Sequence, residues 1–319
     1  MAIEAPFRRR DLLTATAILT VTSAPRADVA KRRDGASTAQ ISPYDFSKPT
    51  DHVDAFVRVR GDAAGRHVYT YTTGRVYAVQ PGAPAVPLLG YQSGLVDQYI
   101  ATSGGSYLQT RREFMHFTDL VSGELADRIV NPITQTINRP IHGLVGPLLF
   151  ALTPQGIAFN THDTREAPGL PFLLNWEQQG PDMTVRIETL RRYRNPIQPA
   201  QLRRASTGEY RTYSDFLTYR FSRHDLFDRA QRQIPAQIFY SGQTDLLPWM
   251  FMGSTPGHLL WHATGFKTLD REQLPQRFTA ITESLHPGLL AEPFTYAERA
   301  GTLESQLLER LAEQRPRGP

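Results

Sequence analysis

The chain has 319 residues, 40% of them hydrophobic and 21% charged, with a mean hydropathy of −0.38. These values describe a soluble globular chain, one large domain or two modest ones, rather than a membrane-embedded or disordered one. The net charge of +4 is carried almost wholly by arginine, lysine occurring only as Lys31, Lys48 and Lys267. The basic residues alternate with acids, as in "DRAQRQ", which argues against nucleic-acid binding. Cysteine is absent, so disulfides, thiolate metal sites and a cysteine nucleophile are excluded.

Taken in order, the amino terminus reads "FRRRDLLTATAILTVTSAPRA". Arg9-Arg10, then Asp11, then Leu12-Leu13 ahead of a short apolar run form the pattern of a twin-arginine export signal over residues 1–27. The run from Leu12 to Val21 is too short to span a bilayer, so stable membrane insertion is not expected. A polar, disordered spacer is expected over 28–41, a single β-rich domain over 42–312 and a disordered tail over 313–319. Export by this route implies a periplasmic or secreted protein that crosses the membrane folded, with the twin-arginine machinery as a partner.

From Val53 to about Phe159 the dominant period is two. "DAFVRVRGD", "HVYTYTTGRVYAV", "GLVDQYIATSGG", "SYLQTRREFMHFTDL", "ELADRIVNP" and "TINRPIHGLV" read as strands, separated by breaks rich in Gly, Pro, Asn and Asp. In "DLVSGE" the sequence predicts a turn with Gly123 at positive φ and with Asp119 and Ser122 bonded to local backbone. In "NPIT" it predicts a corner at Asn131-Pro132. Residues 150–172 read as a loop-rich crossing with one short strand. "DMTVRIETLRRYRNP", "YRTYSDFLTYRFSRHDLF", "QIPAQIFYSGQTD" and "GHLLWHATGFK" read as further strands. Helical period appears only in "LDREQLPQRFTAITESL" and in "TLESQLLERLAEQ", whose stripe Leu303, Leu307, Leu308 and Leu311 suits self-association as a homodimer. The expected fold is all-β: an antiparallel meander that closes into a barrel or deep sandwich, lipocalin-like in architecture, with peripheral C-terminal helices.

No nucleophile elbow or phosphate loop is present. His258 and His262 stand at i and i+4, but on a strand that places them about 13 Å apart, too far to share a metal, and no metal site is expected. The candidate chemistry is therefore distributed over strands, within an interior that accepts a small apolar or aromatic ligand without a cofactor. His116 or His142 would serve as base. Arg111 and Arg112 point to opposite faces, so one of them turns inward to hold an anionic group. Lys267, alone after Lys48 in an arginine-rich chain, is a candidate for a role needing a compact ammonium. Asn131, Trp176, Tyr240, Asp245, Trp249, His258, Trp261 and His262 complete the ligand-binding candidates.

Arg112-Glu113, Ser122-Gly123-Glu124, Asn131 to Thr134, Pro248 to Met250 and Gly265 to Lys267, in that order, resemble the recurring elements of a family of exported bacterial proteins with fungal relatives, the domain-of-unknown-function family 1838. The resemblance spans Tyr44 to Leu308 and implies export and the domain limits; it supplies no reaction. After "NPIT" the family tends to a Thr-Gly-Glu turn and a polar Asn-Asp-Pro segment, where this chain has "QTINRP" and "VGP". Two functions follow. One is a lyase, isomerase or hydratase working by acid–base chemistry; the alternative is a non-catalytic carrier of the same ligand class.

Overall fold

The computed structural model describes residues 42–159, 171–291 and 308–309. The export signal, the spacer, the tail and all of the leucine stripe except Leu308 lie outside the described residues.

The chain opens with a helix, α1 (Pro49–Arg60). The alternation in "DAFVRVRGD" predicts a strand here, and the structure corrects it. Pro49 sits at the first helical position, Asp51 in the first turn and Arg58 and Arg60 in the last, each favourable at its end of the helix. The helix is buried on nearly every side, from His52 through Arg60 with only Asp54 spared, so it has no one-sided apolar stripe to betray it.

Ten strands then build one antiparallel sheet. In chain order they are β1 (Val68–Val79), β2 (Val86–Ala101) and β3 (Tyr107–Thr118), then, after the small separate hairpin β4 (Ile129–Val130) and β5 (Ile137–Asn138), β6 (Gly143–Thr153) and β7 (Gly156–Phe159). The return half is β8 (Asn175–Gln179), β9 (Asp182–Arg194), a turn of helix α2 (Pro199–Leu202), β10 (Tyr210–Ser222), a second short helix α3 (Arg223–Phe227), β11 (Gln237–Thr244) and β12 (His258–Thr268), followed by α4 (Gln276–Leu285). The spatial order is β7-β6-β3-β2-β1-β12-β11-β10-β9-β8, a half-barrel in which the two edge strands, β7 and β8, follow one another in the chain. Among the described residues no helix is long and apolar enough to cross a membrane.

The two turns behave as their residues require. Gly123 has φ 66°, and Asp119 Oδ1 accepts from the Val121 and Ser122 amides. Asn131 is fully buried; its Oδ1 accepts from the Ile133 and Thr134 amides and its Nδ2 donates to Asn138 Oδ1, locking the corner between β4 and β5.

Both faces of the sheet are covered. The concave face holds α1 at one end, packed against Tyr99, Tyr107, Phe150 and Leu152 on one side and Val185, Tyr219 and Ile238 on the other. Its other end is closed by Trp249 and Met250, packed on Val76, Tyr91, Phe117 and Trp261. The convex face is covered in part by α4, where Phe278 meets Tyr71, Val96 and Phe114. Burial on two faces explains why β3 reads as an almost unbroken buried run rather than a clean alternation.

Candidate functional site

Pairing register decides which side chains meet inside. Asp97 lies opposite Arg111, Leu95 opposite Glu113, and Gly242 opposite both Asp215 and Trp261. These residues share the concave face with Tyr99, Tyr91, Lys267 and Tyr240. Between the end of α1 and the Trp249 cluster they form a polar recess.

At its floor, Arg111 forks onto Asp97, with Nε to Oδ1 at 2.8 Å and Nη2 to Oδ2 at 3.1 Å, and Gln109 Nε2 adds a bond to Oδ1 at 2.6 Å. A bidentate pair in this setting is geometrically rigid. The remaining Arg111 nitrogen, Nη1, reaches Glu113 Oε1 at 3.5 Å. Glu113 faces the inside of the half-barrel, and 34% of its side chain reaches solvent. Desolvation holds its carboxyl above the usual range; Asp97 and Asp215 add to the shift, while Arg111 and Arg60 oppose it.

Opposite stands the pair Asp215–Tyr240, the tyrosine hydroxyl donating to Asp215 Oδ1 at 2.7 Å. Burial also raises the Asp215 carboxyl, against the Tyr240 hydrogen bond and the charges of Arg191 and Arg60. The same pair pushes the Tyr240 phenol up, after burial itself, so it remains a neutral donor. Tyr213, on the same face, is pushed up to about 12, chiefly by desolvation. A Cβ on Gly242 would strike the Tyr240 hydroxyl and come within 3.1 Å of Asp215 Oδ1, so the bare backbone there makes room for the pair.

The residues singled out from sequence divide sharply. Arg111 turns inward and Arg112 outward, its Nη1 donating to the Leu289 carbonyl. Tyr240 lines the recess, and Trp249 and Trp261 belong to the cluster that closes it; Trp261 donates to Thr244 Oγ1 and meets Tyr91 edge-on. Lys267 shares the concave face but serves α1: Nζ donates to the carbonyls of Arg58 at 2.9 Å and Gly61 at 3.0 Å. Desolvation drives its ammonium well below the ordinary lysine range.

Trp176 is tied to α1, its Nε1 donating to His52 Nδ1 and its ring stacked on Phe46 at 4.8 Å. Asp245 accepts from the Thr212 amide at the strand end, and Asn131 holds its corner. His258 and His262 share the convex face of β12; His262 lies in an open groove of about 490 Å³ with Arg75, Tyr77, Phe216 and Phe239. A hollow of about 790 Å³ runs along α4 between Arg271 and Glu283, away from the recess.

His116 lies on the convex face, fully buried beneath α4. Thr282 gives its proton to the Phe278 carbonyl, so its Oγ1 accepts from His116 Nε2 at 2.9 Å. His142 and His286 flank the ring at 6.4 and 6.5 Å between centroids. Desolvation first, then the two neighbouring histidines, lowers His116 to about 3. A depressed histidine makes the unfolded chain bind more protons, so stability falls with acidification from about pH 6.5 toward 3. Urea unfolding of wild type at successive pH values should show this slope, approaching about 1.4 kcal/mol per pH unit, and His116→Gln should flatten it.

Sequence reasoning missed Arg60, Tyr91, Asp97, Glu113 and Asp215. Asp97 in "GLVDQYIA" and Asp215 in "YSDFLTY" did carry a signal, a carboxylate set in an apolar or aromatic strand.

Fold and recess together define an all-β half-barrel protein that wraps a buried helix and gathers carboxylates, arginines and tyrosines inside. The family model described as "Protein of unknown function (DUF1838)" matches residues 65–304, and the chain belongs to that family. The matched stretch carries Asp97, Arg111, Glu113, Asp215 and Tyr240, with Arg60 just ahead of it. A search of curated proteins finds no match.

Proposed function

We propose that the recess takes up a small molecule with an apolar or aromatic body and moves a proton on it, without an organic cofactor. The observation that carries this reading is the pairing of Glu113, inward-facing and water-accessible, with a hydrogen-bonded Asp215–Tyr240 pair in the same field of charge. Two carboxyls displaced above their ordinary range suit the roles of acid and base. Asp215 removes a proton from carbon beside an electron-withdrawing group, and Tyr240 stabilises the oxygen that gains charge. Glu113 returns a proton, either to a second carbon, which shifts a double bond, or to a departing hydroxyl, which leaves as water. Both outcomes are redox-neutral. Apolar side chains on the same face, Val145, Leu148, Ile187 and Leu217, support a ligand with an apolar body. The arginine pair at Arg9-Arg10 and the absence of cysteine support export and action outside the cytoplasm.

The test uses a small-molecule extract of the native host incubated with the protein in heavy water. Mass spectrometry should find a compound that gains or loses one water, or takes up one deuteron. Asp215→Asn and Glu113→Gln should each slow that conversion at least about 100-fold. Gly242→Ala should do the same by forcing Tyr240 off Asp215. Conversion should also fall away on acidification at a pH above the ordinary aspartate range, because the base must be unprotonated. A compound retained by wild type with its mass unchanged would make the protein a carrier instead.

A further inference from the structure

Arg60 leaves the last turn of α1 and enters the recess, where its charge acts on Tyr99, Glu113 and Asp215. The residue is only 8% exposed. Among the described residues its Nε has no hydrogen-bond partner and its guanidinium makes no ion pair; the guanidinium lies over the Phe56 ring, 5.7 Å from its centroid. Every comparable cation nearby is engaged. Arg111 is forked onto Asp97, Lys267 bonds two carbonyls, and Arg58 bonds four. A largely buried guanidinium with carboxyls in its field but none bonded to it is costly, and an unmade buried hydrogen bond calls for a partner. A second orphan lies along the same face: the Tyr91 hydroxyl is buried without a partner among the described residues, and burial keeps it protonated.

We infer that Arg60 receives the anionic group of the ligand, and that the ligand is an organic carboxylate. This rests on the reading of the recess as a small-molecule site. One unengaged cation beside two carboxyls suits a single negative charge, whereas a phosphate dianion would meet repulsion from Asp215 with too few cations to offset it. A carboxylate accepts from Nε and a terminal nitrogen together, the geometry a guanidinium presents. Tyr91 then supplies a neutral donor for a further oxygen on the same molecule.

The test is isothermal titration of the full chain, with ligand-observed NMR, using phenylacetate, phenylacetamide and inorganic phosphate. Wild type should bind phenylacetate at least tenfold more tightly than phenylacetamide and should not bind phosphate. Arg60→Met should erase the preference while still binding the amide, and Arg60→Lys should restore part of it. Equal binding of acid and amide, or an undiminished preference in Arg60→Met, would overturn the anion assignment and leave the recess reading standing. Absence of binding by any probe to wild type would overturn both. The melting temperature gives a ligand-free check. An unpaired buried charge is a liability, so Arg60→Met should hold or raise it; a fall of more than about 5 °C would make the guanidinium structural and overturn the inference.

Discussion

Asp97→Ala should lower stability by about 3–5 kcal/mol, the cost of leaving a buried arginine without its counter-charge. Asp97 is fully buried and accepts three hydrogen bonds, two from Arg111 and one from Gln109. Its removal strands a guanidinium that cannot swing to bulk water, because Phe150 lies against it and β6 pairs alongside. The melting temperature should fall by roughly 10 °C, read by circular dichroism, with a matching shift in the urea midpoint. The double variant Asp97→Ala with Arg111→Met should recover much of the loss, since it leaves no uncompensated charge. A single-variant cost below about 1 kcal/mol would mean that Arg111 finds water through the recess and that the pair is not the rigid floor described. The same variant should also weaken any function of the recess, because Asp97 would no longer hold the Arg111 fork in place.

The second large effect is expected at Arg58. This side chain is 1% exposed and, among the described residues, makes no carboxylate pair; it bonds the Tyr44 hydroxyl and the carbonyls of Asp225, Leu226, Asp228 and Gln231. Those carbonyls lie at the end of α3 and just beyond it, where unsatisfied acceptors concentrate. Arg58 thus ties α1 to the return half of the sheet. Arg58→Met keeps the length and apolar stem but orphans several acceptors at once, a cost of roughly 3–5 kcal/mol at hydrogen-bond values for charged groups. Arg58→Lys should recover only part, since one ammonium cannot reproduce the planar fork. Chemical denaturation would measure both. A lysine variant as stable as wild type would show that charge alone, not the fork, holds the helix.

Much of this architecture is legible in local chemistry. Period-two runs, punctuated by Gly123 and by Asn131-Pro132, specify antiparallel strands with tight connections, and the side-chain bonds at both turns are those the residue types favour. The alternation in "LQTRREFMHF" also specifies that Arg111 and Arg112 part company and that Glu113 goes with Arg111. These are statements about a few consecutive residues, and strand geometry alone decides them.

Parity cannot say which face becomes the inside. Arg112 and His116 sit on a face as apolar as its opposite, and only the docking of α4 onto the convex side assigns them to structural contacts. Nor does Glu113 in β3 announce that Asp215 in β10, about a hundred residues later, will stand in its field; the curvature of ten strands brings them together. The helix α1 is the extreme case. Its Val-Arg-Val-Arg spacing mimics a strand because its arginines are buried as thoroughly as its valines, and that burial exists only once the half-barrel has closed around it. Local sequence therefore determined the strands and turns of this protein, through backbone sterics and side-chain period. Tertiary packing decided the interior, its unengaged arginine and its two carboxyls, because desolvation and counter-charge belong to an enclosure and not to a segment.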